Sequence, residues 1–175
     1  MATTATDARR DLFITGLRNI HAVEKQALSI MTPQVERIEH YPEVAERLRA
    51  HIEETHGQIA RLDEILAGFQ ESHSTLKDAA LSMSGGMAAI THSIAGDEIL
   101  KNSFANYAFE HFEMASYMSL LALVDDGGFA SAKAALEQSL GEEKAMAQWI
   151  GDHLPEVTRR YASLYESEGT AQAKV

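Results

Sequence analysis

Apolar residues recur at steps of three and four along most of this chain, the period of one face of an α-helix. The first such run covers about Asp7 to Ile38, with Phe13, Leu17, Ile20, Leu28, Met31, Val35 and Ile38 inward and Pro33 late within it. Tyr41-Pro42 interrupts the pattern, and Pro42 suits the first turn of a second helix. That helix is expected over about Glu43 to Phe69, with Val44, Leu48, Ile52, Ile59, Leu62 and Leu66 inward. Residues Gln70 to Ile94 are less regular and read as a long crossover, with short helices near Leu76 to Met83 and after Gly86. Gly85-Gly86 lacks the strand, loop and lysine of a phosphate cradle and reads as helix punctuation. A third helix is expected over about Asp97 to Val124, with Leu100, Phe104, Tyr107, Met114, Tyr117, Leu121 and Val124 inward. Asp125-Asp126-Gly127-Gly128 stops it. A fourth covers about Ala130 to His153, with Leu136, Leu140, Ala147 and Ile150 inward. Pro155 then opens a short C-terminal helix over 155–167, and 168–175 reads as a frayed polar tail. The pattern predicts an all-α single domain over 1–175, with its core in 8–154. Two helical hairpins joined by a long crossover make it a four-helix bundle.

Three of the apolar stripes are interrupted by a carboxylate. The inward series 13, 17, 20, 24, 28 places Glu24, the series 104, 107, 110, 114, 117 places Glu110, and the series 136, 140, 143, 147 places Glu143. Each falls near the middle of its helix. Glu113, three residues after Glu110, reaches the same chamber. The second helix carries Glu53 and His56, and a spacing of three brings both side chains to one face. His56 lies four after Ile52 and three before Ile59, so the pair is expected to point inward as a Glu-x-x-His element of a carboxylate-bridged two-metal site. Ionised carboxylates in an apolar core are costly, and like charges at close range add to the cost. Glu24, Glu53, Glu110, Glu113 and Glu143 sum to −5, and two divalent cations reduce this to −1. Hard oxygen ligands with one imidazole suit iron or manganese, and zinc less well. The candidate metal ligands are therefore Glu24, Glu53, His56, Glu110, Glu113 and Glu143. Any one glutamate alone is as well explained by a misphased or partly exposed helix, or by protonation or pairing with arginine.

The remaining histidines carry less. His111 turns about 100° from Glu110 toward an outer layer or the surface. His21 stands three before Glu24, at the edge of the chamber. His40, His51, His73, His92 and His153 read as turn or surface residues. Tyr107 reads as a core tyrosine, and Met31, Met114, Met118 and Met146 as apolar filler.

Composition narrows the function. Of 175 residues, 45% are hydrophobic and 23% charged, near the globular average, which excludes a disordered chain. A net charge of −11 disfavours nucleic acid and anionic membranes as partners. The absence of cysteine removes disulfides and thiolate sites. No apolar run approaches the ~18 residues of a membrane span, and the polar N-terminus does not resemble a signal peptide. A cytoplasmic location is expected.

Four stretches carry a resemblance: Ala22-Val23-Glu24-Lys25-Gln26, His51-Ile52-Glu53-Glu54-Thr55-His56-Gly57-Gln58-Ile59, Glu110-His111-Phe112-Glu113-Met114-Ala115-Ser116-Tyr117 and Glu142-Glu143-Lys144-Ala145. Together they resemble the YciF/YciE family of bacterial ferritin-like proteins, from about Asp11 to Leu154. The resemblance implies a ferritin-like bundle, a two-metal centre, a homodimer and a link to bacterial stress responses. Within the wider superfamily the site looks closest to rubrerythrin, which implies Glu24 as a terminal ligand and Glu110 and Glu113 as a pair from one helix. The sequence departs from that pattern at Met146, where a second Glu-x-x-His would place an imidazole. One metal is therefore expected to be held by oxygens alone. Without cysteines there is no rubredoxin module, so electrons come from elsewhere. The leading expectation is redox chemistry with peroxide, dioxygen or ferrous iron. A metal-stabilised interaction protein without turnover comes second, and iron storage in a cage third.

Overall fold

The computed structural model describes residues 5–69, 96–170 and 174–175. Four long helices dominate: α1 (Ala5–Arg37), α2 (Pro42–Gly68), α3 (Glu98–Gly127) and α4 (Lys133–Glu168), with a 3-10 turn at Ala130–Ala132 before α4. The short helices expected near 76–83 and after Gly86, together with His73 and His92, lie outside the described residues. Pro42 opens α2, and Gly128, at φ 80°, takes the left-handed conformation that ends α3 and begins the turn to α4.

α1 packs on α2 and α3, and α4 packs on the same two helices, which leaves α1/α4 and α2/α3 on the diagonals. α1 and α3 run antiparallel. Gln34 and Asn106 exchange amide hydrogen bonds of 2.9 and 3.3 Å at one end, and Tyr117 reaches Glu24 further along. Near Gly16 the two helices approach closely, since a Cβ there would lie 2.8 Å from Leu120 Cδ2. At one end of the bundle Phe13, Phe69 and Phe129 form an aromatic cluster, with Phe13 and Phe129 stacked at 4.4 Å. At the other end Glu98, though buried, is paired with Arg37 and with Lys174 at 3.4 Å. Phe69 and Asp97 thus sit at opposite ends of the bundle. The four long helices make a ferritin-like four-helix bundle.

Two expectations about the C-terminal part are corrected. α4 is one helix through Pro155, not a fourth helix followed by a short one. Ile150, Leu154, Val157, Tyr161 and Leu164 continue one stripe at steps of four, three, four and three. Val157 is buried, and Tyr161 and Leu164 pack against the core. This packing outweighs the ~3 kcal/mol that an interior proline costs a helix. Lys174 and Val175, expected in a frayed tail, are tied to the bundle: Val175 O accepts from His40 N at 3.1 Å, and Lys174 O from Ile99 N at 3.0 Å.

Two stripes are also rephased. On α2 the buried positions are Val44, Ala45, Leu48, His51, Thr55, Gln58, Leu62 and Leu66, while Ile52 and Ile59 are only half-buried. On α3 the inward set is Ile99, Asn106, Phe109, Glu110, Glu113, Tyr117, Leu120 and Val124, while Phe104 and Tyr107 are exposed. α3 carries apolar side chains around most of its circumference, so periodicity defines its phase weakly.

Candidate metal centre

Glu24, Glu110, Glu113 and Glu143 are all at most 2% exposed, and they meet at mid-height with α2 closing the fourth side. The predicted α2 pair does not join them. Glu53 and His56 both face solvent. Ile52 and Ile59 suggested that face of the helix, but the buried one is polar here because it lines the chamber. His51, assigned from the sequence to the surface, takes the inward place, with Thr55 and Gln58 below it. The run 44, 48, 51, 55, 58, 62, 66 has steps of three and four throughout, a regular stripe that polar residues at its centre concealed.

His51 holds the geometry of a ligand with a supporting outer layer. Its Nε2 lies 3.1 Å from Glu110 Oε2 and 3.7 Å from Glu143 Oε2. Its Nδ1 is 2.8 Å from Glu54 Oε2, which also accepts from both terminal nitrogens of Arg47 at 3.0 and 3.1 Å. A carboxylate on Nδ1 fixes the ring and leaves Nε2 facing the chamber, as in carboxylate–histidine–metal arrangements. Thr55 Oγ1 bonds back to His51 O at 2.9 Å. Across the chamber Tyr117 donates to Glu24 Oε1 at 2.6 Å, and Gln58 Nε2 donates to Glu143 Oε1.

Among the described residues, few other donors serve these carboxylates. Among the described residues no N–H or O–H group donates to Glu24 Oε2, Glu143 Oε2, either oxygen of Glu113 or Gln58 Oε1, all of them buried. Glu110 Oε2 has the imidazole near it but no well-aligned hydrogen bond. The Arg61 guanidinium is bonded to Ser139 at 3.1 Å and to Glu142. Burial pushes the carboxyls up, Glu24 to about 7 and Glu143 to about 10, and Glu113 rises well above the usual range. Mutual repulsion adds to this for all three. Burial works against a charged His51, but Glu110 and Glu54 outweigh it and raise its pKa to about 10. Burial alone would also raise Glu54, yet His51 and Arg47 hold it below the usual range. Orphaned buried oxygens of this kind call for protons or cations. One ligand atom each from His51, Glu110 and Glu143 lie within 4.8 Å of one another, a fit for a cation.

Among the described residues, His21 and His111 are peripheral to this cluster. His21 is buried with Nε2 2.9 Å from Asp63 Oδ1. His111 is exposed, with Nδ1 2.8 Å from Tyr107 O. Met146 is buried but Met118 is exposed, so not all the methionines fill the core.

The fold and the site together define a ferritin-like helical bundle with a buried histidine–glutamate cluster at mid-height. The chain belongs to the family described as Domain of unknown function (DUF892), whose model matches residues 8–163. It is 33% identical over 145 residues to protein YciF of Escherichia coli, covering 77% of this chain and 83% of that one. Among solved structures it is similar to a protein from Xanthomonas campestris (TM-score 0.76, 28% identity, 91% of this chain and 99% of that chain). It is also similar to the E. coli stress protein YciF (TM-score 0.68, 28% identity, 83% and 94%).

Proposed function

We propose that this protein is a stress-related, cytoplasmic ferritin-like protein that binds two divalent metal ions, iron first and manganese second. Its chemistry would be redox, with peroxide, dioxygen or ferrous iron as the small reactant. The observation that carries this reading is the set of buried carboxylate oxygens without donors, facing one imidazole that is itself positioned by Glu54. Glu24, Glu110, Glu113 and Glu143 supply four negative charges, which two divalent ions balance. Such ions, when bound, supply a redox couple and Lewis acidity. The chain does the rest. Arg47 and Glu54 keep His51 turned inward, Tyr117 and Gln58 hold one oxygen each of Glu24 and Glu143, and the apolar layers above and below exclude water. A role under stress follows from the likeness to the E. coli stress protein.

A homodimer is part of the same reading. A groove of about 580 Å³ runs between α1 and α3 on the outer side, lined by Leu12, Gly16, Val23, Phe112, Ala115 and Ser119. Leu12 and Phe112 are exposed there. The groove equally favours a second reading, in which the metal only stabilises a bundle whose task is interaction. The test is peroxide consumption by iron-loaded protein with an external reductant. Wild type and Glu53→Ala should turn over alike, and Glu143→Ala should not. If wild type is no faster than Glu143→Ala, the metal is structural.

A further inference from the structure

We propose that a cavity between α2, α3 and α4, one helical turn from His51, Glu110 and Glu143, is the holding site and entry route for dioxygen. The cavity stands on packing alone; its purpose rests on the metal-binding reading above and selects among the small reactants of that reading. Leu48 precedes His51 by three residues, Asn106 precedes Glu110 by four, and Met146 follows Glu143 by three. These three form the inner wall, each 7% exposed or less. Spacings of three and four are about one turn, so a molecule held there stands one layer above the ligands. Ser103, Trp149, His153 and Leu154 form the outer wall and are half-buried, so the cavity reaches from near the surface to the edge of the chamber. Among the described residues, α2 and α4 touch less than any other neighbouring pair of long helices, and the cavity lies between them.

The lining selects the occupant. The cavity measures about 20 Å³, room for one molecule slightly larger than water. Among the described residues no carboxylate lines it, so it does not gather cations. Its polar side chains are turned to other partners. Asn106 exchanges both amide bonds with Gln34, Ser103 Oγ donates to Ile99 O at 2.7 Å, and His153 Nδ1 donates to Trp149 O at 2.8 Å. What is left facing the space is mostly aliphatic, aromatic and thioether surface, with Val44, Ile150 and Val157 completing it. Cavities of this kind stay dry and accept apolar guests such as xenon. Peroxide would lose hydrogen bonds to water on entering, whereas dioxygen has few to lose.

The first experiment places the metal-free full chain, with ¹³C-labelled methionine methyls, under xenon gas. The Met146 methyl should shift, while Met31, also buried but on α1 and outside the cavity wall, should not. Ser103→Leu, which fills the outer end, should abolish the shift, and Leu154→Ala, which widens it, should increase the shift. Circular dichroism confirms that each variant is folded. The second loads the protein anaerobically with ferrous iron and mixes it with dioxygen or with peroxide. Ser103→Leu should slow oxidation by dioxygen several-fold, slow oxidation by peroxide less, and leave metal content unchanged. A Met146 methyl unmoved by xenon, or a Ser103→Leu variant as fast with dioxygen as wild type, would overturn the route with the metal-binding reading intact. Equal slowing with both oxidants would overturn the choice of dioxygen. Wild type that retains no iron would overturn the metal-binding reading, and the role proposed for the cavity with it.

Discussion

Tyr117 and His51 show how much one side chain decides in this chamber. Tyr117 is fully buried and donates to Glu24, whose other oxygen has no donor. In Tyr117→Phe the ionised carboxylate loses that bond, which should cost about 1–3 kcal/mol in urea unfolding of metal-free protein at pH 8. The loss should shrink at pH 5.5, because Glu24, with its pKa pushed up to about 7, is then protonated. On α2, neighbouring residues should behave in opposite ways. Glu53→Ala and His56→Ala remove exposed side chains and should shift stability by no more than about 0.5 kcal/mol, with metal content unchanged. His51→Ala should lower bound metal measurably, and so should Glu54→Ala, which touches no other ligand but releases the ring. Metal analysis of the purified variants checks all four.

At the scale of the helices, the chamber sets four carboxylates from three elements against one another, and this gives stability a particular pH dependence. Glu143 and Glu24 have folded pKa values raised from 4.5, to about 10 and about 7, and His51 is raised from 6.5 to about 10. For each, the folded state holds the proton more tightly than the unfolded state. Their contribution is therefore complete below the unfolded value and is lost as pH rises through the folded one. Metal-free protein should melt at a lower temperature at pH 8.5 than at pH 6. Metal requires the deprotonated ligands, so its binding releases protons and stabilises more as pH rises. Chelation should thus lower the melting temperature at neutral pH, and mild acid should narrow the gap. Coincident melting curves with and without chelator, on protein shown to have held metal, would refute this.

For the whole molecule, the outer face of α1 and α3 is the feature most suited to a second copy. The exposed Leu12 and Phe112 flank small residues at Ala115 and Ser119 along an antiparallel pair. Two such faces related by a two-fold axis are self-complementary. Ser119→Arg places a charge and a long side chain on that face without touching the chamber. Sedimentation should then report a monomer where wild type gives a dimer, with metal content preserved. Wild type that sediments as a monomer at micromolar concentration would remove the dimer from the proposal.

Much of this architecture was already legible in the order of residues. Apolar steps of three and four marked all four long helices, Pro42 and Gly128 marked two of their ends, and Glu24, Glu110 and Glu143 stood out as charges on apolar stripes. Those signals are local, because a helix repeats its face every few residues whatever it packs against. The α2 contribution was not legible in the same way. Hydrophobic periodicity locates a buried face only where that face is apolar, and the inward side of α2 around His51, Thr55 and Gln58 is polar because it lines the chamber. Ile52 and Ile59, half-buried at the flank, therefore gave the wrong phase and drew Glu53 and His56 inward with them. Pro155 likewise marked a break by its own chemistry, and only the packing of Val157, Tyr161 and Leu164 against the bundle kept α4 whole. Sequence alone determined where the helical runs lie and that carboxylates enter their core. Tertiary packing decided which face of α2 they meet, because burial depends on what the neighbouring helices present.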